Sequence, residues 1–293
     1  MGLLFSGIIQ LIFLIIFSRK FYKPSIIFKK KIKANVKFFL KKLLPSIFSS
    51  GVTQINILVG TIIASFEAGA VSYLYYADRI YQINLAIAGI AVGTVSLPAL
   101  SKSLKIGKIN QATSIQNKSI QLCFLFSLPA CAGLILASDQ IVNALFGYGS
   151  FANEDVVSTG LALKYFGFGV PAFALIKILS NFFFARDNTK TPFYLSLLSV
   201  ILNILISVTY FRDVGFVIIP IATSISTWVS VIVYLILLNK SKFLIFKNLP
   251  SINILKIIFS TIMMSAALFY GLDLFEDKLI YSNNYKSIYL LIM

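Results

Sequence analysis

SRKFYKPSIIFKKKIKANVKFFLKK (residues 18–42) runs directly into LLPSIFSSGVTQINILVGTIIASF (residues 43–66), and this junction decides the fold. The first stretch holds Arg19, Lys20, Lys23, Lys29, Lys30, Lys31, Lys33, Lys37, Lys41 and Lys42 and no acid; the second holds no charge at all. An uncharged apolar run of about 20 residues is what a helix needs to cross a bilayer core. Lys and Arg beside such a run are retained on the cytoplasmic side during insertion. Working outward, further apolar segments lie at 3–17, 83–101, 119–138, 156–185, 191–210, 217–238, 254–272 and 285–293. The first, third, fifth and seventh connections, with their span edges, hold 20 basic residues and one acid, Asp187. The even connections hold nine acids against Arg79, Arg212 and Lys278, so the odd set faces the cytoplasm. The chain reads as an all-α polytopic membrane protein of about eight transmembrane helices plus a truncated last one.

Three regions follow. Residues 1–17 form a partial transmembrane helix, 18–42 a basic cytoplasmic loop, and 43–293 a C-terminal transmembrane lobe truncated at its end. Segments 3–17 and 285–293 fall short of a full span, and Met1 lands on the outer side without a basic leader. The expectation is therefore a piece of a longer protein. In the basic loop, Phe28, Ile32, Val36 and Phe39 recur at helical spacing, which predicts an amphipathic helix lying on anionic lipid.

Composition narrows the function. A net charge of +16 sits in short loops beside apolar spans, which points to the anionic leaflet and away from nucleic acid. With no histidine, the usual imidazole base and metal ligand are missing. Cys123 and Cys131 lie eight apart in one apolar span and read as small packing residues.

Polar residues inside spans are the candidates for function or helix contact. Ser49, Ser50, Thr53, Gln54 and Asn56 crowd the span 43–66. The outer connection VSYLYYADRIYQ (residues 71–82) carries an interfacial tyrosine belt around Asp78 and Arg79. Arg79 has two readings: it snorkels or pairs with a nearby acid, or its planar fork binds phosphate bidentately. Lys177, two turns past Pro171, either faces a cavity or snorkels to the cytoplasm. Arg186, Asp187, Lys190 and Pro192 make a tight cytoplasmic hairpin in which Asp187 offsets its basic neighbours. Asn203 with Ser207, and Thr223 with Ser226, read first as interhelical glue and second as a cation site. Residues 139–155 read as an interfacial turn around Gly147 and Gly149, and Gly89, Gly93 and Pro98 mark a helix able to pack closely or flex.

Three runs in this order, YYADRIYQINLAIAGIAVGTVSLPALSK (75–102), IVNALFGYGSF (141–151) and FFFARDNTKTP (182–192), resemble the MurJ/MviN lipid II flippases of the MOP exporter superfamily. The resemblance covers roughly residues 1–290 and implies the second lobe of a 14-helix MOP-type flippase. It implies a transporter rather than an enzyme, located in the bacterial cytoplasmic (inner) membrane. Its cargo would be lipid II, undecaprenyl-pyrophosphoryl-disaccharide-peptide, moved from inner to outer leaflet by alternating access between two lobes. Partners would be lipid II, anionic lipids and the missing N-terminal lobe, in the same chain or a separate one. The family's cavity arginine falls on Arg79 within the ADR run, with Lys177 a second candidate for the lipid pyrophosphate. Asn203 and Thr223 fall near a cation site known in some members, although Gly60 and Ser207 stand where acidic ligands are expected. No cofactor is implied beyond Na+ or membrane-potential coupling. Alternatives are another exporter of the superfamily, whether polysaccharide-precursor flippase or multidrug antiporter, a non-transporting remnant or scaffold, and a membrane enzyme using Glu154-Asp155 or Glu276-Asp277.

Overall fold

A helix pairs its amides and carbonyls within its own segment, which is what a single apolar run immersed in lipid requires. The computed structural model describes residues 2–19, 36, 54–243 and 251–274, and among them every regular element is helical. The amphipathic helix expected in 18–42, the polar residues Ser49, Ser50 and Thr53, the acids Glu276 and Asp277, and the segment 285–293 fall outside the described residues, apart from Ser18, Arg19 and Val36.

The chain divides into two units, residues 1–43 and 44–293. In the first, α1 (Gly2–Arg19) is apolar around its circumference and exposes Phe5, Ile9 and Leu14 alike, as a lipid-bathed helix does. In the second, α2 (Gln54–Ala64) leads through a turn into α3 (Ala70–Lys105). The series continues with α4 (Ile109–Leu136), α5 (Ser138–Phe146), α6 (Asn153–Phe184), α7 (Lys190–Val214), α8 (Ile218–Lys240) and α9 (Ser251–Leu274).

Two connections differ from the sequence reading. Residues 70–82 are the first turns of α3 rather than a loop. Ala70, Ala77 and Ile80 bury one face there while the tyrosines and charges occupy the rest, so the segment is an amphipathic helix continuous with the span. The turn expected at 139–155 likewise contains a helix, α5, whose Ser138 and Val142 are buried.

The centre of the lobe is α6, which packs on α3, α4, α5 and α8. Its small residues allow that. A methyl group on Gly89 of α3 would lie 3.0 Å from the Ala174 Cα, so the two backbones touch there. One turn on, Asn181 Nδ2 donates to the Gly93 carbonyl at 2.9 Å. The contact falls at a π-helical turn over Ala86–Ala91, a local widening that often marks functional sites. Pro171 removes an amide from α6 and leaves the Gly167 carbonyl without its helical partner. Beside that break, α8 bonds across: Ser224 Oγ donates to the Tyr165 carbonyl at 2.7 Å and Trp228 Nε1 to that of Phe168 at 2.9 Å.

The outer and inner ends are tied separately. At the end expected to face outward, the Phe216 amide donates to Glu67 Oε2 at 2.7 Å, joining the α2–α3 turn to the start of α8. Tyr73 donates to Asp155 Oδ1 at 3.0 Å, and the other carboxylate oxygen caps α6 by accepting from the Ala152 amide at 2.8 Å. On the inner side, the α6–α7 hairpin turns through Asp187 at φ 58°, Asn188 Oδ1 accepts from the Thr191 amide at 3.1 Å, and Pro192 is buried in the first turn of α7.

Candidate functional site

The outer half of α3 sets two charges side by side and sends them different ways. Consecutive residues on a helix do not face one another, whereas residues four apart do. Arg79 is exposed and turns back along the helix, where Nη2 donates to the Tyr75 hydroxyl at 3.1 Å and Cζ lies 4.6 Å above the Tyr75 ring. Asp78 is half-buried and accepts a hydrogen bond from Gln82 Nε2, one turn further on. Arg79 is thus held on an aromatic face by a tyrosine, while Asp78 beside it remains within reach of its charge.

Asp78 lines a cavity of about 210 Å³ between α2, α3, α7 and α8, closed on one side by Phe166 of α6. Asn56 and Gly60 come from α2, Tyr75 and Tyr81 from α3, Asn203 from α7 and Thr223 from α8. Asn56 Oδ1 is buried without a hydrogen-bond partner, an acceptor that asks for a donor in this space. Asn203 and Thr223, expected to sit together, do: Asn203 Nδ2 donates to Thr223 Oγ1 at 2.7 Å. The Thr223 hydroxyl donates to the Ile219 carbonyl at 2.7 Å, and Ser207 donates to Asn203 Oδ1 at 3.4 Å. This arrangement is interhelical glue. Asp78 is the one carboxylate among the residues lining the cavity, and the sequence reading had placed it only in a motif. The signal was available as the spacing of Val71, Leu74, Tyr75, Asp78 and Tyr81 on a single helix face.

Lys177 does not join Arg79. It leaves α6 beside Gly89, where its stem would meet an added methyl at 3.4 Å. Gly89 is ten residues from Arg79 along α3, or roughly 15 Å at the helical rise. Its side chain is exposed, so the two cations mark different depths of one lobe.

At the cytoplasmic hairpin Arg186 donates through Nη1 to the Phe182 carbonyl at 2.7 Å and through Nη2 to that of Phe243 at 3.4 Å, with Cζ 4.3 Å over the Phe243 ring. Gln116 Nε2 of α4 reaches the same Phe243 carbonyl at 3.0 Å. Burial lowers the Arg186 pKa from its ordinary value, yet a guanidinium remains charged at physiological pH. Asp187 and Lys190 are exposed beside it. This cluster fastens the segment after α8 onto α4 and α6. Among the described residues no group of three or more His, Cys, Asp or Glu is placed to hold a metal ion, and Asp155 is engaged as a helix cap.

A sequence profile described as lipid II flippase MurJ matches residues 1–290. A probable lipid II flippase of Rhizobium meliloti (strain 1021) is 36% identical over 280 residues, covering 93% of this chain and 51% of that protein. One from Rickettsia prowazekii (strain Madrid E) is 39% identical over 229 residues, covering 78% and 45%. Among solved structures, a lipid II flippase in an inward closed conformation superposes with a TM-score of 0.72 at 25% identity, covering 90% of this chain and 54% of that one. An outward-facing multidrug resistance transporter of the MATE family superposes at 0.61 with 17% identity, a likeness of fold. The chain spans about half the length of the relatives it matches.

Proposed function

Because the chain belongs to the MurJ family of lipid II flippases, we propose that it forms one lobe of a flippase in the bacterial cytoplasmic membrane, moving lipid-linked peptidoglycan precursor from inner to outer leaflet. The pyrophosphate-sugar-peptide head of such a lipid cannot cross hydrocarbon unaided, since burying unpaired charge is prohibitive. A protein cavity with fixed cations replaces water around the phosphates while the prenyl tail stays in lipid. Alternating access requires a second lobe facing this one, which the other half of the relatives' length would supply.

The observation that carries this reading is Arg79. It stands on the outer part of a span-forming helix, exposed, with Tyr75 rather than an acid as its partner, and so keeps donors available for a bidentate phosphate contact. Cells depleted of the wild-type protein and supplied with Arg79→Ala should fail to grow although the variant inserts normally. Arg79→Lys should fail as well if fork geometry matters. Growth with Arg79→Ala refutes the assignment, and growth with Arg79→Lys alone reduces it to a charge requirement.

Coupling to Na+ or to the membrane potential belongs to the same proposal. Asn203 and Thr223 supply polar atoms to the cavity of about 210 Å³, but neither Gly60 nor Ser207 brings a carboxylate to them. Replacing Na+ by choline in a flipping assay separates the two: an unchanged rate favours the potential.

A further inference from the structure

Arg79 can serve an anionic lipid only while Asp78 does not claim it. Opposite charges one residue apart, at the edge of a hydrocarbon layer, attract far more strongly than in water. Side chains one residue apart on a helix do not face one another, but an arginine is long enough to swing toward the neighbouring carboxylate, and there it would lose part of its free charge. The structure gives each charge hydrogen-bond partners other than its neighbour: Tyr75 for Arg79, and Gln82 together with the Tyr81 hydroxyl for Asp78, which still lies close enough to feel the Arg79 charge. Tyr75 contributes twice, through its hydroxyl at 3.1 Å and its ring face at 4.6 Å. It also forms part of the wall of the cavity that Asp78 lines, so one side chain touches both the guanidinium and the carboxylate's compartment.

We propose that Tyr75 is a positioning residue that holds the Arg79 guanidinium away from Asp78 and so keeps an uncancelled cation for the pyrophosphate of the lipid. The inference rests on the reading of Arg79 as a pyrophosphate contact. Losing the ring removes a cation–π attachment and a hydrogen bond, and frees Arg79 to fold onto Asp78. Removing the carboxylate as well should make the missing ring harmless, because nothing then captures the guanidinium.

The test is the affinity of the natural full-length polypeptide, purified in detergent, for farnesyl pyrophosphate. Tyr75→Leu should bind about tenfold more weakly than wild type, and Tyr75→Phe, which keeps the ring, only a few-fold more weakly. Tyr75→Leu combined with Asp78→Asn should return to within about twofold of wild type. A merely structural role for Tyr75 is not rescued by deleting a neighbouring charge, so a double variant as weak as Tyr75→Leu overturns the proposal. Should Tyr75→Leu fail to fold, the same rescue by Asp78→Asn is read from the smaller loss of Tyr75→Phe. Arg79→Ala separates the levels. Wild-type binding by Arg79→Ala removes the pyrophosphate reading itself. Weak binding by Arg79→Ala with undiminished binding by Tyr75→Leu leaves that reading standing and removes the role of Tyr75.

Discussion

Replacing Arg186 by alanine should lower the stability of the lobe by about 2 kcal/mol while leaving its fold unchanged. The guanidinium makes one short hydrogen bond at 2.7 Å, one long one at 3.4 Å and a ring contact at 4.3 Å. A hydrogen bond from a charged donor contributes about 1.5–3 kcal/mol, the 3.4 Å bond only a fraction of that, and a partly desolvated cation–π contact about 1 kcal/mol. Against this, freeing the long side chain returns up to about 2 kcal/mol of rotamer entropy, which leaves a net loss of about 2 kcal/mol. For a body of this size that corresponds to a fall in Tm of about 4–8 °C. In a Cys131→Ala background, which removes the half-buried second thiol, a thiol-reactive fluorophore gives the assay, because Cys123 is fully buried and labels only as the helices separate. Arg186→Lys should recover less than half of the loss, since an ammonium cannot cover the Phe243 ring and both carbonyls together. A Tm for Arg186→Ala within 1 °C of wild type would refute the reasoning and make the hairpin arginine a topological charge only.

Other consequences follow from the helix contacts. Glu67→Ala leaves the buried Phe216 amide unpaired and should cost about 2 kcal/mol, whereas Glu67→Gln, which still offers an oxygen, should cost about half as much in the same thermal assay. Gly89→Val adds two methyl groups to a Cβ that by itself already meets the Ala174 backbone at 3.0 Å. It should separate α3 from α6 and reduce the folded yield in detergent several-fold, while Gly133→Ala, where no atom lies within 4 Å, should not. Asn203→Leu removes the donor to Thr223 and should destabilise the α7–α8 pair by about 1 kcal/mol, read again as Tm.

How much of this was legible in the sequence depends on whether the cause is local. Span positions follow from run length, and the long helices Ile109–Leu136, Asn153–Phe184, Lys190–Val214 and Ile218–Lys240 cover the runs that predicted them. Residues 70–82 were misread because a search for uncharged runs stops at Asp78 and Arg79, although the buried Ala70, Ala77 and Ile80 keep the helical period through them. The α5 helix was hidden by the glycines that follow it. The Asn203–Thr223 contact was legible as glue because both lie in adjacent spans joined by a short turn. The cavity was not, because it needs Asn56, Asp78, Asn203 and Thr223 from four helices, and only the packed lobe brings them together. The grip of Arg186 on Phe243 crosses 57 residues and leaves no periodic trace, and the Tyr75–Arg79 pair stood in plain view at four-residue spacing once the segment is known to be helical.

The most direct test of the central claim is the amount of lipid II reaching the outer leaflet in cells whose natural gene carries Arg79→Ala. It is measured by cleavage of the exposed head group with an externally added hydrolase, at membrane levels of the variant matched to wild type. The account predicts that lipid II accumulates on the inner face and that the cleavable fraction falls at least tenfold. A cleavable fraction equal to wild type, from a correctly inserted Arg79→Ala protein, would contradict it.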